Sequence, residues 1–141
     1  MRLPRAQRWL PVVAAVLAIG AIGSAFAIAA ARAGEPAEIR IRYSAYAPAT
    51  IRAQAGRPIE IVLHNDDPID HEWIVGDAAS HERHRNGTEQ AHDARTTEIT
   101  VPAGEVRRTT VTFEVPGTYT FICHLPGHEA YGMVGRLIVR P

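Results

Sequence analysis

The chain has 141 residues, room for one ordinary domain, and its 15 basic residues balance 15 acidic ones. Every basic residue is Arg; four of them (Arg2, Arg5, Arg8 and Arg32) fall within residues 1–33, which hold no acid, so residues 34–141 carry 11 Arg against 15 acids, a formal charge of −4. That balance excludes a nucleic-acid binder, whose phosphates require a clustered positive surface, and a single cysteine excludes both an internal disulfide and a dinuclear centre bridged by two thiolates.

The first element is an address. Arg2, Arg5 and Arg8 precede an uncharged apolar run from Trp9 to Ala31, and Ala25-Phe26-Ala27 and Ala31-Arg32-Ala33 both fit a small-residue cleavage site. The run is also long enough to cross a bilayer of about 30 Å, with the preceding arginines held on the cytoplasmic side. Residues 1–33 therefore read as a cleaved signal peptide or as an anchor helix through residues 9–31. Either way the domain is exported, to the periplasm or the extracytoplasmic face of the membrane.

Residues 34–37 form a short linker, and residues 38–141 the domain. Glu38 to Tyr43 alternates strictly, with Ile39, Ile41 and Tyr43 on one face, as in a half-buried strand. A strand beginning at Ile51 leads to a turn at Ala55-Gly56-Arg57-Pro58, and Ile59 to His64 alternates again. Further strands are expected over Glu72 to Val75, Thr97 to Val101, Val106 to Phe113, Thr118 to Cys123 and Arg136 to Arg140. About eight short strands separated by Gly/Pro turns, with no sustained helical period, predict an all-β sandwich or barrel.

Between the third and fourth of these strands, Asn65 to Asp70 is a polar, turn-rich loop ending at His71. Strand parity places His71, Trp73 and Val75 on one face, and Tyr119, Phe121 and Cys123 likewise. His64, at the end of the preceding strand, reaches the same end of the sheet and is the rival ligand. Residues 76–95 are too long for a simple hairpin. They hold His81, His84 and His92 among acids, and read as a polar loop or short surface helix, or as a secondary metal-collecting segment.

The chemistry concentrates in the last loop, where Cys123, His128 and Met133 stand at C-x4-H-x4-M directly after an alternating strand. Thiolate, imidazole and thioether are ligands that copper selects over magnesium or calcium, and with a second histidine they make a type 1 site with Met as the weak axial donor. Taken singly, each residue is an ordinary buried or turn residue; the joint spacing is what carries the reading.

Gly117 to Cys123, Pro126-Gly127-His128 and Gly132 to Val139 together resemble the C-terminal copper loop of plastocyanin and related small cupredoxins. Plastocyanin has two residues between Cys and His where this chain has four. The resemblance implies a Greek-key β-sandwich and one type 1 copper per chain held by His71, Cys123, His128 and Met133. It also implies single-electron transport without enzymatic turnover, by a monomer that meets redox partner proteins transiently near His128. Plastocyanin has an Asn after its first ligand, tying the two ligand loops together; Glu72 stands here instead, so that tie must be made otherwise. His124 matches the residue after Cys in multicopper oxidases, but Ile122 occupies the place of their preceding His and no H-x-H occurs, so His124 reads as a solvated loop residue. A copper-homeostasis role for the same site and the His-rich segment is the alternative to electron transport.

Overall fold

The computed structural model describes residues 35–87 and 95–141. The signal-or-anchor reading of residues 1–33 and the position of His92 lie outside these described residues. Among the described residues no helix is long and apolar enough to cross a membrane.

Among the described residues, nine strands and one helix follow in chain order: β1 (Ala37–Ile41), β2 (Tyr46–Ala47), β3 (Thr50–Gln54), β4 (Ile59–Asn65), β5 (His71–Gly76), α1 (Ala78–Arg85), β6 (Glu98–Val101), β7 (Val106–Val111), β8 (Gly117–Ile122) and β9 (Val134–Arg140). They form two sheets, ordered β2-β1-β4-β7 and β3-β9-β8-β5-β6. Two pairings are parallel, β1 with β4 and β3 with β9, and the rest antiparallel. The all-β sandwich is thus observed, with the two-residue β2 added to the expected strands.

The alternation in the sequence becomes the core. Ile39, Ile41, Ile61 and Leu63 of one sheet and Trp73, Val75, Phe121, Leu137 and Val139 of the other are buried together with Cys123 and Met133. Each such side chain contributes roughly 1.5–3 kcal/mol by leaving water. Phe121 is the hub: Tyr46 meets it edge-on at 5.1 Å and Trp73 lies at 6.1 Å. Gly135 lets β9 pass beneath that ring, since a Cβ there would fall 2.0 Å from Phe121 Cε2.

Tyr43 departs from the expected pattern. The strand stops at Ile41, and Tyr43 and Ser44 turn the chain with φ of 55° and 53°, leaving Tyr43 exposed rather than in the core. Left-handed backbone is uncommon outside glycine and persists only where surroundings enforce it. Here the enforcing group is Asp67, whose carboxylate accepts both the Tyr43 and Ser44 N–H groups, at 2.7 and 2.8 Å.

Residues 76–95 contain helix α1. Asp77 caps its first turn by accepting from the Ser80 N–H at 2.8 Å, Arg83, His84 and Arg85 suit the negative end of its dipole, and Asn86 and Gly87 close it. The helix is polar on every side, so its caps and its packing against β5 hold it rather than an apolar stripe. His81 is its buried residue.

Candidate metal centre

The two ends of the site come from neighbouring strands. In the β5–β8 ladder Ile74 faces Ile122 and Val75 faces Phe121, so His71 at the start of β5 and Cys123 just past β8 fall at the same end of the sheet. The chain after Cys123 returns at Met133, where the Cys123 N–H donates to the Met133 carbonyl at 3.3 Å and Ile122 pairs with Val134. Within that closed loop the His128 N–H donates to the Leu125 carbonyl and the Met133 N–H to the His128 carbonyl, each at 3.0 Å. Gly127, at φ 85°, supplies the left-handed turn that brings His128 back over Cys123.

His71 Nδ1 lies 3.3 Å from His128 Nδ1, and Cys123 Sγ lies 3.2 Å from His128 Nδ1. Among the described residues these three are the group of His, Cys or acidic side chains whose donor atoms converge, all within 4.8 Å. His71 and Cys123 are fully buried and His128 is partly buried. Met133, also fully buried, is tied by its backbone to both Cys123 and His128. Two imidazoles, a thiol and a thioether in a closed apolar setting fit copper by donor chemistry.

The surroundings set the protons. His71 Nε2 is 2.9 Å from Asp67 Oδ2; a carboxylate only accepts, so Nε2 carries the hydrogen and Nδ1 turns its lone pair toward the other donors. Burial lowers the His71 pKa, with Asp67 opposing, which favours the neutral ring that a metal needs. Burial alone would raise the Asp67 pKa, but the Ser44 and Tyr43 N–H groups and His71 outweigh it and hold the carboxyl below its ordinary value. Burial raises the Cys123 thiol, against which the Glu72 N–H donates to Sγ at 3.3 Å.

That last bond answers the question posed by Glu72: its backbone, not a side-chain amide, ties the first-ligand strand to the thiol. Asn65 anchors the other end, donating to the carbonyls of Ile69, Val101 and Pro102 and accepting the Asp67 N–H at 3.0 Å. Sequence reasoning missed Asp67, Asn65 and the Tyr43–Ser44 turn. The polar run at Asn65 to Asp70 was the available signal, but nothing in it says which carboxylate faces the histidine. His64, the rival ligand, pairs instead with Glu38.

The structure corrects the reading of His124. Its side chain is 6% exposed, and it joins His81 and His84 in a group of three rings. His81 Nδ1 is 3.0 Å from His124 Nε2, and His84 stacks on His124 with centroids 5.4 Å apart. Burial, with His81 next, lowers the His124 pKa to about 4. An open cleft of about 380 Å³ borders the group, lined by His84, Arg85, His124, Pro126 and Glu129 among others.

Three comparisons bear on this geometry. A family model described as a cupredoxin-like domain matches residues 12–139. Among known proteins, the chain is similar to the copper-resistant cuproprotein CopI of Rubrivivax gelatinosus, 32% identical over 96 residues, which cover 66% of this chain and 58% of that relative. It is 28% identical over 145 aligned positions to the protein of the same name from Pseudomonas aeruginosa, covering 79% of this chain and 80% of the relative. The chain thus spans little more than half the length of the first of these relatives. Among solved structures, dithionite-reduced auracyanin from Roseiflexus castenholzii superposes with a TM-score of 0.65 at 23% identity, covering 77% of this chain and 99% of that one. Auracyanin A of Chloroflexus aurantiacus, described as a "blue" copper protein, gives 0.58 at 26% identity, covering 73% and 96%.

Proposed function

The chain belongs to the cupredoxin-like domain family, and on that premise we propose that it is an exported type 1 copper protein carrying single electrons between redox partners. The convergence of His71 Nδ1, His128 Nδ1 and Cys123 Sγ is the observation that carries this reading. His71, His128, the Cys123 thiolate and Met133 would hold one copper. Bound copper supplies a one-electron couple between Cu(II) and Cu(I).

The rest of the chemistry belongs to the protein. Asp67 fixes the His71 tautomer, and the Glu72 N–H offsets negative charge on the sulfur. Loss of the thiol proton accompanies metal uptake. Donors pinned to two paired strands and one closed loop stay in place as the charge on the site changes. No substrate is turned over. His128 is only partly buried, and exposed Pro126 and Tyr131 share its loop; a transient redox encounter there needs only a small interface.

A copper-homeostasis role is the second reading. The names of the relatives, copper-resistant cuproproteins, favour it, as does the additional histidine group of His81, His84 and His124. Electron self-exchange of the copper-loaded chain separates the two. Reversible oxidation and reduction with fast self-exchange supports the carrier; copper held tightly but silent to redox titration contradicts it.

A further inference from the structure

His81 and His124 face one another through ring nitrogens 3.0 Å apart, and their other ring nitrogens each meet an oxygen acceptor. His81 Nε2 lies 3.2 Å from the Thr120 carbonyl, which can only accept, so that nitrogen carries the hydrogen and Nδ1 is a lone pair. On the other ring, His124 Nδ1 lies 3.5 Å from Glu129 Oε2, and Glu129 is itself held by three bonds from the Arg85 guanidinium at 2.6–3.1 Å. If His124 carries its hydrogen on Nδ1, toward that carboxylate, its Nε2 is a second lone pair pointing at the first, 3.0 Å away. If the hydrogen sits on Nε2 instead, it donates to His81 Nδ1 at 3.0 Å, and the lone pair at Nδ1 faces the carboxylate at 3.5 Å. In the first tautomer two ring lone pairs converge beside the cleft, the arrangement that a cation between the two nitrogens would use.

We propose that His81 Nδ1 and His124 Nε2 form a second metal site, distinct from the His71–Cys123–His128 centre, that takes a borderline divalent cation such as copper(II). Ring nitrogens 3.0 Å apart subtend about 95° at an ion bound at the usual ~2.0–2.1 Å, a normal angle between adjacent ligands. Both rings have the support that metal-binding histidines use, a carbonyl behind one and a carboxylate behind the other. His84, stacked on His124 at an interplanar angle of 14°, fixes the plane of that ring. The cleft that His124 lines gives an ion a way in and leaves room for water to complete its coordination. The new site shares one peptide bond with the first, since His124 follows Cys123 directly. It draws on His81 from the segment expected to collect metal, but its partner is His124.

The test is a copper(II) titration of the full chain already loaded with one equivalent of copper, followed by electron paramagnetic resonance. The wild type is expected to take up one further equivalent, with a signal of tetragonal nitrogen and oxygen coordination. His81→Gln and His124→Gln should each lose that equivalent while retaining the absorption of the first site, which also reports that the variant has folded. Glu129→Gln leaves both rings in place and should weaken the second equivalent by about 10–100-fold. The Cys123→Ser chain should still bind there and lose that binding when His124→Gln is added, so failure of the first site and failure of the second are read separately. No second equivalent in the wild type, or the same uptake by both histidine variants, overturns the proposal and leaves a proton between the rings.

Discussion

Nε2 of His71 lies 2.9 Å from Oδ2 of Asp67, a carboxylate that also accepts the backbone N–H groups of Tyr43 and Ser44. One side chain thereby couples an exposed left-handed turn to the orientation of a buried donor. The energy stored in that turn, about 1–3 kcal/mol for each such residue, is offset by the charge-assisted bonds it makes.

Asp67→Ala removes the acceptor that fixes the His71 tautomer while leaving all four proposed ligands. Copper affinity should fall by about 10–100-fold with the visible absorption kept in the loaded form, as measured by competition with a chelator. Unchanged affinity would mean that the ring is oriented by packing alone.

Met133→Leu should keep copper and colour and shift the reduction potential, most simply upward, because loss of even a weak donor favours the less charged Cu(I). Direct electrochemistry of the two proteins measures it. Loss of all copper from the variant would make Met133 a primary ligand.

Gly135→Ala tests the packing beneath the site. Its Cβ would fall 2.0 Å from one carbon of the Phe121 ring and 2.1 Å from another, so the ring must move within a filled core. A destabilisation of about 1–3 kcal/mol or more is expected in denaturant unfolding. A variant as stable as wild type would show that Phe121 has room to turn.

Without metal, stability should depend on pH through the buried histidines. His71, His81 and His124 are all lowered in the folded chain, chiefly by burial, His124 to about 4. The unfolded chain then binds more protons below its ordinary His pKa, so stability rises with pH in that window. The contribution of His124 is fully present above about pH 6.5 and is lost as pH falls toward 4, amounting to no more than about 3 kcal/mol. Urea midpoints between pH 4 and 7.5 measure it, and a flat profile would contradict it.

The strands were legible because apolar residues alternate, and the last loop because Cys123, His128 and Met133 carry rare chemistry at short spacing. His71 was legible by parity, since period two fixes which side chains share a face. Tyr43 was not, because its strand ends two residues early at a turn dictated by Asp67, 24 residues away. His124 was misread for a similar reason: its partners His81 and His84 reach it through a helix packed on β5, and no local pattern announces a contact 43 residues distant.

The central claim is a copper–thiolate bond at Cys123, and the most direct measurement is the visible spectrum of the copper-loaded full chain beside that of Cys123→Ser. The account predicts an intense absorption in the wild type that vanishes on reduction, returns on oxidation and is absent from the serine variant. A colourless copper-loaded wild type, or a serine variant that keeps the band, would contradict it.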